Sequence, residues 1–390
     1  MSSRRLQITL QPAVLRWARE RARIDAEQLA DKMQVKPERV LAWERDGRIS
    51  IAQADKLAQR THTALGLLYL TEPPKDLLPI PDFRTRDNDL QPSVNLLDTI
   101  YLMQRRQAWM RDELIGEGAR PLNFIGSYEI DGDPLQVACA MRDALQLTDD
   151  WAASVFTWSD ALGHLRNKAE DAGVLVVFNG VVGNNTSRKL DPDEFQGFAL
   201  VDEYAPLVFV NNADFKAAQM FTLAHELAHL FVGETGVSSF EHLKFDSNTT
   251  ERFCDQIAAE FLVPAEELRA FWPIAEQASD PYQPVARQFK VSSLVAARRA
   301  RDLGLIQPIA FFKFYDEYME REWHSSQQSQ ASGGNFWNTQ KWRIGTRFGT
   351  AIFRAVKEGR LLYREAYNLT GLKGETFENM RDKMGILPGN

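Results

Sequence analysis

Cysteine is nearly missing from this chain: Cys139 and Cys254 are the only two in 390 residues. Two thiols exclude a disulfide framework and leave any metal to histidine and carboxylate ligands. Both are expected to be buried. No apolar run approaches the ~18 residues a membrane-spanning helix requires. The first residues, with Arg4 and Arg5 followed by alternating polar positions, lack a hydrophobic signal region. These absences predict a cytoplasmic protein without a membrane partner.

What is present suits a soluble globular protein of two or three domains: 44% of residues are hydrophobic and 25% charged. The net charge of −7 is unevenly spread. Residues 1–60 hold 13 Lys and Arg against 8 Asp and Glu, or +5, which leaves −12 for the remainder. A basic head on an acidic body predicts nucleic-acid contact at one end only.

The most informative stretch is 220–232, where His225, Glu226 and His229 form an HExxH pattern inside an uncharged run. Four helical residues turn through about 400°, so both imidazoles stand on one face and can reach one ion. Glu226 points about 100° away and flanks that ion, the place of a general base. Catalytic zinc takes three protein ligands and keeps one position open. The third is expected from Glu251, on a later helical stretch where Asp255 shares its face. Glu251 would reach the ion, and Asp255 would accept a hydrogen bond from a ligand imidazole. His242, Glu234 and Glu260 compete for the ligand position, and His242 could also steady an oxyanion.

Residues 1–72 read as short helices. Residues 13–22 are periodic, Asp25 caps 26–33, Pro37 opens the next helix, Asp46-Gly47 stops it, 51–58 follows, and apolar 65–70 completes a five-helix unit. Gln28-Leu29-Ala30, Val35 and Trp43 to Gly47 resemble the phage-repressor (XRE) type of helix-turn-helix domain. That resemblance places Lys36 and Arg39 toward a DNA groove and Arg45 and Arg48 near the backbone. Pro37 and Glu38 depart from the pattern and leave few base-reading groups; a helical protein-interaction module is the alternative.

Residues 73–95, rich in proline, read as a linker. Helices are expected at 96–114, 134–147 and 156–172, then strands at 174–178, 197–201 and 206–210, so that a small sheet precedes the HExxH helix. An exposed edge strand beside the metal would hold an extended peptide by main-chain hydrogen bonds. Residues 195–200, 206–211, 221–229 and 251–264 together resemble the ImmA/IrrE family of metallopeptidases. The resemblance implies a gluzincin-like zinc protease that cleaves helix-turn-helix repressors, with His225, His229 and Glu251 as Zn2+ ligands and Glu226 as base. It also implies a second helix-turn-helix-like segment, which 280–306 fits, although Arg298, Arg299 and Arg301 read more simply as a solvated helix face.

The expected fold class is therefore α+β. It comprises the N-terminal helix-turn-helix domain (1–72), the linker (73–95), and a zincin-like domain over 96–315. That domain has a lead-in at 96–172, a core at 173–266 with a small mixed sheet, and paired helices at 280–306. A flexible linker (316–334) and a C-terminal helical domain (335–390) complete the chain. In the last domain Phe336, Trp337, Trp342, Phe348 and Phe353 are expected to form a core of their own. Lys341, Arg343, Arg347 and Arg354 interleave with them as a nucleic-acid or partner surface would. Two functions fit: a zinc endopeptidase regulator acting on a repressor-like partner, or an antitoxin or repressor, paired with a toxin, whose zinc is structural or weakly active. DNA through 1–72 is an expected partner of either, and a homodimer is compatible with both.

Overall fold

The computed structural model describes residues 6–82, 91–148, 150–213, 216–238, 249–328 and 335–385; of 216–217 and 322–328 it describes the backbone alone. It is mixed α+β and mostly helical, with small sheets. The chain divides into two compact units, Met1–Pro79 with Arg86–Tyr101, and Ile80–Thr85 with Leu102–Asn390. Among the described residues no helix is long and apolar enough to cross a membrane.

The first unit contains β1 (Gln7–Thr9), α1 (Pro12–Arg21), α2 (Ala26–Met33), α3 (Pro37–Asp46), β2 (Arg48–Ser50) and α4 (Ile51–Arg60). Local chemistry sets these boundaries. Asp25 and Gln28 close a reciprocal capping box on α2, and Ser50 and Gln53 do the same for α4. Pro37 stands in the first turn of α3, where no N–H is needed. Gly47 ends α3 at φ +71, and a Cβ there would lie 2.0 Å from the Leu10 carbonyl oxygen, a close approach only glycine permits. Leu15, Leu29, Val40, Trp43, Ile49 and Leu57 fill the core. Two expectations need correction. The fifth helix is a 3-10 segment, Leu65–Tyr69, and the unit also holds an antiparallel pair, β1 with β2, whose three-residue strands are too short to carry a readable period.

The helices α5 (Val94–Gly116), α6 (Pro134–Ala144) and α7 (Trp158–Asp171) precede the main sheet. Its strands are β3 (Leu175–Phe178), β6 (Gly197–Leu200), β7 (Leu207–Val210) and β8 (Gly236–Ser238), with the pair β4 (Val181–Val182) and β5 (Asn185–Lys189) between β3 and β6 in the chain. The sheet order is β3-β7-β6-β8, with β3 parallel to β7 and the other pairs antiparallel. Every residue of these four strands is buried. Continuous apolar runs of this kind mark strands covered on both faces. Along β8 the Val237 N–H donates to the Pro81 carbonyl at 3.1 Å, and Asp82 bridges Val237 in parallel.

Helix α8 (Lys216–Val232) packs on β6 and β7 and against α9 (Thr249–Leu262), α6 and α7. Its uncharged surroundings are all buried: Thr222, Leu223, Ala224, Leu227, Ala228, Leu230 and Phe231. A helix whose apolar residues are buried around its polar HExxH face belongs inside a layered fold. It ends at Gly233, φ +82, whose N–H returns to the His229 carbonyl at 2.9 Å.

After α9 come α10 (Ala265–Ala275), α11 (Tyr282–Phe289), α12 (Ser293–Asp302) and α13 (Pro308–Gln328). Residues 316–328, expected in a flexible linker, are thus helical; 329–334 lie outside the described residues. Likewise, the segment expected to be a linker at 73–95 contains 83–90, which also lie outside them. The tail forms α14 (Phe336–Ile344), α15 (Thr346–Lys357), α16 (Tyr363–Thr370) and α17 (Gly374–Lys383). Tyr363 and Tyr367 meet Phe377 edge-on and Phe353 meets it tilted within the tail, while Trp342 meets Phe178 of β3 edge-on and Phe348 meets Trp109 of α5. The aromatics therefore serve both an internal core and a seam with the rest of the second unit. In that seam the buried Arg166–Glu170 pair reaches the tail: Arg166 donates to the Lys341 carbonyl and the Thr346 hydroxyl, and Glu170 accepts from the Arg347 N–H.

Candidate metal centre

Helix periodicity puts His225 and His229 one turn apart, and α9 brings Glu251 up to both. His225 Nε2 lies 3.2 Å from Glu251 Oε2, His229 Nε2 lies 3.0 Å from Glu251 Oε1, and the two Nε2 atoms are 3.0 Å apart. Among the described residues these three form the one cluster able to hold a metal ion, and all three are buried. Glu251 sits in the first turn of α9, where the exposed N–H groups of a helix end favour a carboxylate.

The donor set fits zinc. Four-coordinate zinc with Zn–N of about 2.0–2.1 Å separates neighbouring ligand atoms by about 3.3 Å. The observed 3.0–3.2 Å lies close to that separation. Burying this much polar chemistry is costly unless a cation or a proton compensates it.

The electrostatics carry the same sign. Burial depresses the His225 imidazolium, but Glu251 and Asp255 outweigh it and raise its pKa to about 10. His229, where burial dominates, is lowered. Glu251 is held down to about 2, the two histidines overcoming its burial.

Glu226 behaves differently. Burial raises its pKa to about 8; Glu251 adds to the rise, while His225 and the Ser238 hydroxyl oppose it. Neither of its oxygens completes a hydrogen bond among the described residues. The carboxylate rests against the start of β6, where a Cβ on Gly197 would lie 2.6 Å from Glu226 Oε1 and 2.9 Å from Thr222 Cγ2.

Behind the histidine stands Asp255. Its Oδ1 lies 3.1 Å from His225 Nδ1, and its Oδ2 accepts from Arg298 at 2.7 Å. The solvated reading of the α12 arginines does not hold. Arg298 pairs with Asp255, Arg299 is buried and pairs with Glu260, and Arg301 pairs with Asp302 and lies over the Phe311 ring. Helix α12 turns these charges inward onto α9 and α13.

Residues 169–301 include His225, Glu226, His229, Glu251, Asp255 and Arg298. This segment matches the IrrE N-terminal-like domain. That domain defines the ImmA/IrrE metallopeptidase family, and a His-His-Glu cluster inside the IrrE-like segment is compatible with a metal such as zinc. Residues 344–383 match a domain of unknown function. The comparisons with curated proteins and with solved structures found no match.

The other candidate residues fall away from the IrrE-like centre. Glu260 is engaged by Arg299 and accepts the Ala265 N–H at 3.0 Å. Glu234 lies beyond the end of α8, half-buried and outside the cluster. His242 lies outside the described residues. Cys254 is buried between Glu251 and Asp255 with its thiol pKa raised by burial, whereas Cys139, expected buried, is exposed. In the first unit Lys36, Arg39, Arg45 and Arg48 are all exposed, Lys36 at the N-terminus of α3 and Arg39 over the Trp43 ring.

Sequence reasoning passed over three contributors. Gly197 carried a signal, a glycine inside an apolar strand, which often marks close approach by another group. Ser238, 3.5 Å from His229 Nε2, sits on a strand too short to have a pattern. Arg298 is one of several arginines on a helix and has no local mark.

Proposed function

We propose that the IrrE-like segment is a zinc endopeptidase acting on a protein partner, a repressor-like regulator or a toxin, in a chain whose first unit binds DNA or that partner. The observation that carries this reading is the convergence of His225, His229 and Glu251 beside the fully buried Glu226 carboxyl.

His225, His229 and Glu251 would hold the ion. Bound there, zinc supplies a Lewis acid that activates water near neutral pH and polarises a carbonyl. Glu226 takes up the proton of the attacking water and delivers it to the leaving amine. Asp255 keeps the Nδ1 side of His225 occupied, which turns Nε2 toward the ion. Strand β8 supplies the main-chain edge nearest the site, and its Val237 N–H donates to the carbonyl of the extended segment at Pro81. The sequence expected such an edge among the strands before α8; β8 follows it.

The test is zinc content and cleavage of the candidate partner by purified protein, with and without chelator. Glu226→Gln should keep zinc and lose cleavage. Unchanged cleavage by that variant would falsify the mechanism.

A second reading is a DNA-binding antitoxin or repressor whose zinc is structural. It is favoured by one observation: His225, Glu226 and His229 are each 0% exposed, as a closed structural site requires. Stoichiometric zinc with no cleavage of any partner, together with operator binding, would select it.

A further inference from the structure

We propose that Arg298 is a positioning residue of the metal centre: it pins Asp255, Asp255 orients the His225 ring, and helix α12 thereby sets how tightly the centre holds its ion. The proposal rests on the reading of His225, His229 and Glu251 as ligands.

The geometry divides the Asp255 carboxylate between two tasks. Oδ1 faces His225 Nδ1 at 3.1 Å, and Oδ2 takes the Arg298 guanidinium at 2.7 Å. A carboxylate held at one oxygen swings about its Cβ–Cγ bond, whereas one held at both is fixed in plane. The contact length is that of a charge-assisted hydrogen bond. An ionised Asp255 accepts the Nδ1 proton and so leaves the Nε2 lone pair free for an ion.

Structural anchoring of α12 does not need Arg298. The neighbouring Arg299 donates to the Val263 carbonyl at 2.9 Å and pairs with Glu260, tying α12 to α9 independently. Ser292 caps α12, and Leu294, Ala296, Ala297 and Ala300 pack in the core. What Arg298 adds beyond these contacts is its grip on the carboxylate behind His225.

The experiment measures zinc affinity of the full chain by competition with a chromophoric chelator, with folding followed by circular dichroism. Arg298→Met should weaken zinc binding by about 10–100-fold, the usual effect of losing an outer partner of a ligand. Arg298→Lys should lose less. If Arg298 acts through Asp255, the double variant Asp255→Asn with Arg298→Met should bind zinc about as poorly as Asp255→Asn alone. Nitrogen NMR of the imidazoles should show His225 shifting from one tautomer toward a mixture in Arg298→Met. Zinc affinity within about twofold of the parent in Arg298→Met, or losses that simply multiply in the double variant, would overturn the proposal. The ligand reading fails separately, if His225→Ala and His229→Ala retain zinc.

Discussion

Gly197 and Glu226 are in direct opposition: the strand residue has no side chain at the point where the carboxyl of the helix residue comes to rest, and a Cβ there would stand 2.6 Å from Oε1. Gly197→Ala should therefore displace Glu226 and crowd Thr222, costing about 1–3 kcal/mol of stability as overpacking does. Peptide cleavage should fall more than stability does. Thermal melts of Gly197→Ala in the parent and in a Glu226→Ala background check the cause, since shortening Glu226 should recover part of the loss.

Zinc uptake should release protons. In the metal-free protein His225, at about 10, is protonated at neutral pH, while His229 is lowered and Glu251 sits at about 2. The incoming ion must displace at least the His225 proton, so affinity should rise by roughly tenfold per pH unit from about 7 toward 10. Calorimetry in buffers of different ionisation heat counts the protons; a count of zero contradicts the charge assignment.

Without metal, stability should fall over the same range. The raised folded pKa of His225 contributes stability that is complete below its ordinary value of 6.5 and is lost as pH climbs through about 10. Glu226, raised from 4.5 to about 8, acts in the same direction. Replacing Glu226 by Gln removes the cost of ionising that buried carboxyl above about pH 8. In chelator at pH 8–9 the variant should melt higher than the parent, a gain in stability at the expense of function.

The seam between the tail and the sheet hinges on Arg166 and Glu170, about 5% exposed each. Removing one partner of a buried pair costs about 3–5 kcal/mol. Arg166→Ala and Glu170→Ala should lower the melting temperature and open the chain to protease near 341–347, which mass spectrometry of the fragments would locate.

In the first unit, exchanging Lys36, Arg39, Arg45 and Arg48 for alanine should abolish any DNA retention while leaving zinc content untouched. Each charge that contacts phosphate should lower the slope of log affinity against log salt by about 1 when removed. Fluorescence anisotropy over a salt series measures it.

The sequence disclosed the parts of the centre that depend on helical repeat. His225 with His229, and Glu251 with Asp255, share faces because 3.6 residues make a turn, and burial of α8 followed from its lack of charge. It did not disclose what only packing creates. Strand β8 is three residues long, Leu65–Tyr69 winds as a 3-10 segment under a similar apolar pattern, and the linker reading of 316–328 took a polar composition for a break in a helix. Arg298 and Arg299 looked solvated because a sequence gives no hint that Asp255 and Glu260 on α9 await them.

The sheet has two margins, and each is engaged. On one side Pro81 and Asp82 lie along β8; on the other, Gly345 approaches so closely that a Cβ would come within 3.1 Å of the Val176 carbonyl oxygen of β3. Unpaired strand edges are where chains recruit copies of themselves. A shortened version of this protein, lacking 80–82 or the residues after 335, would bare such an edge, so aggregation rather than loss of the metal site is the first hazard of trimming it.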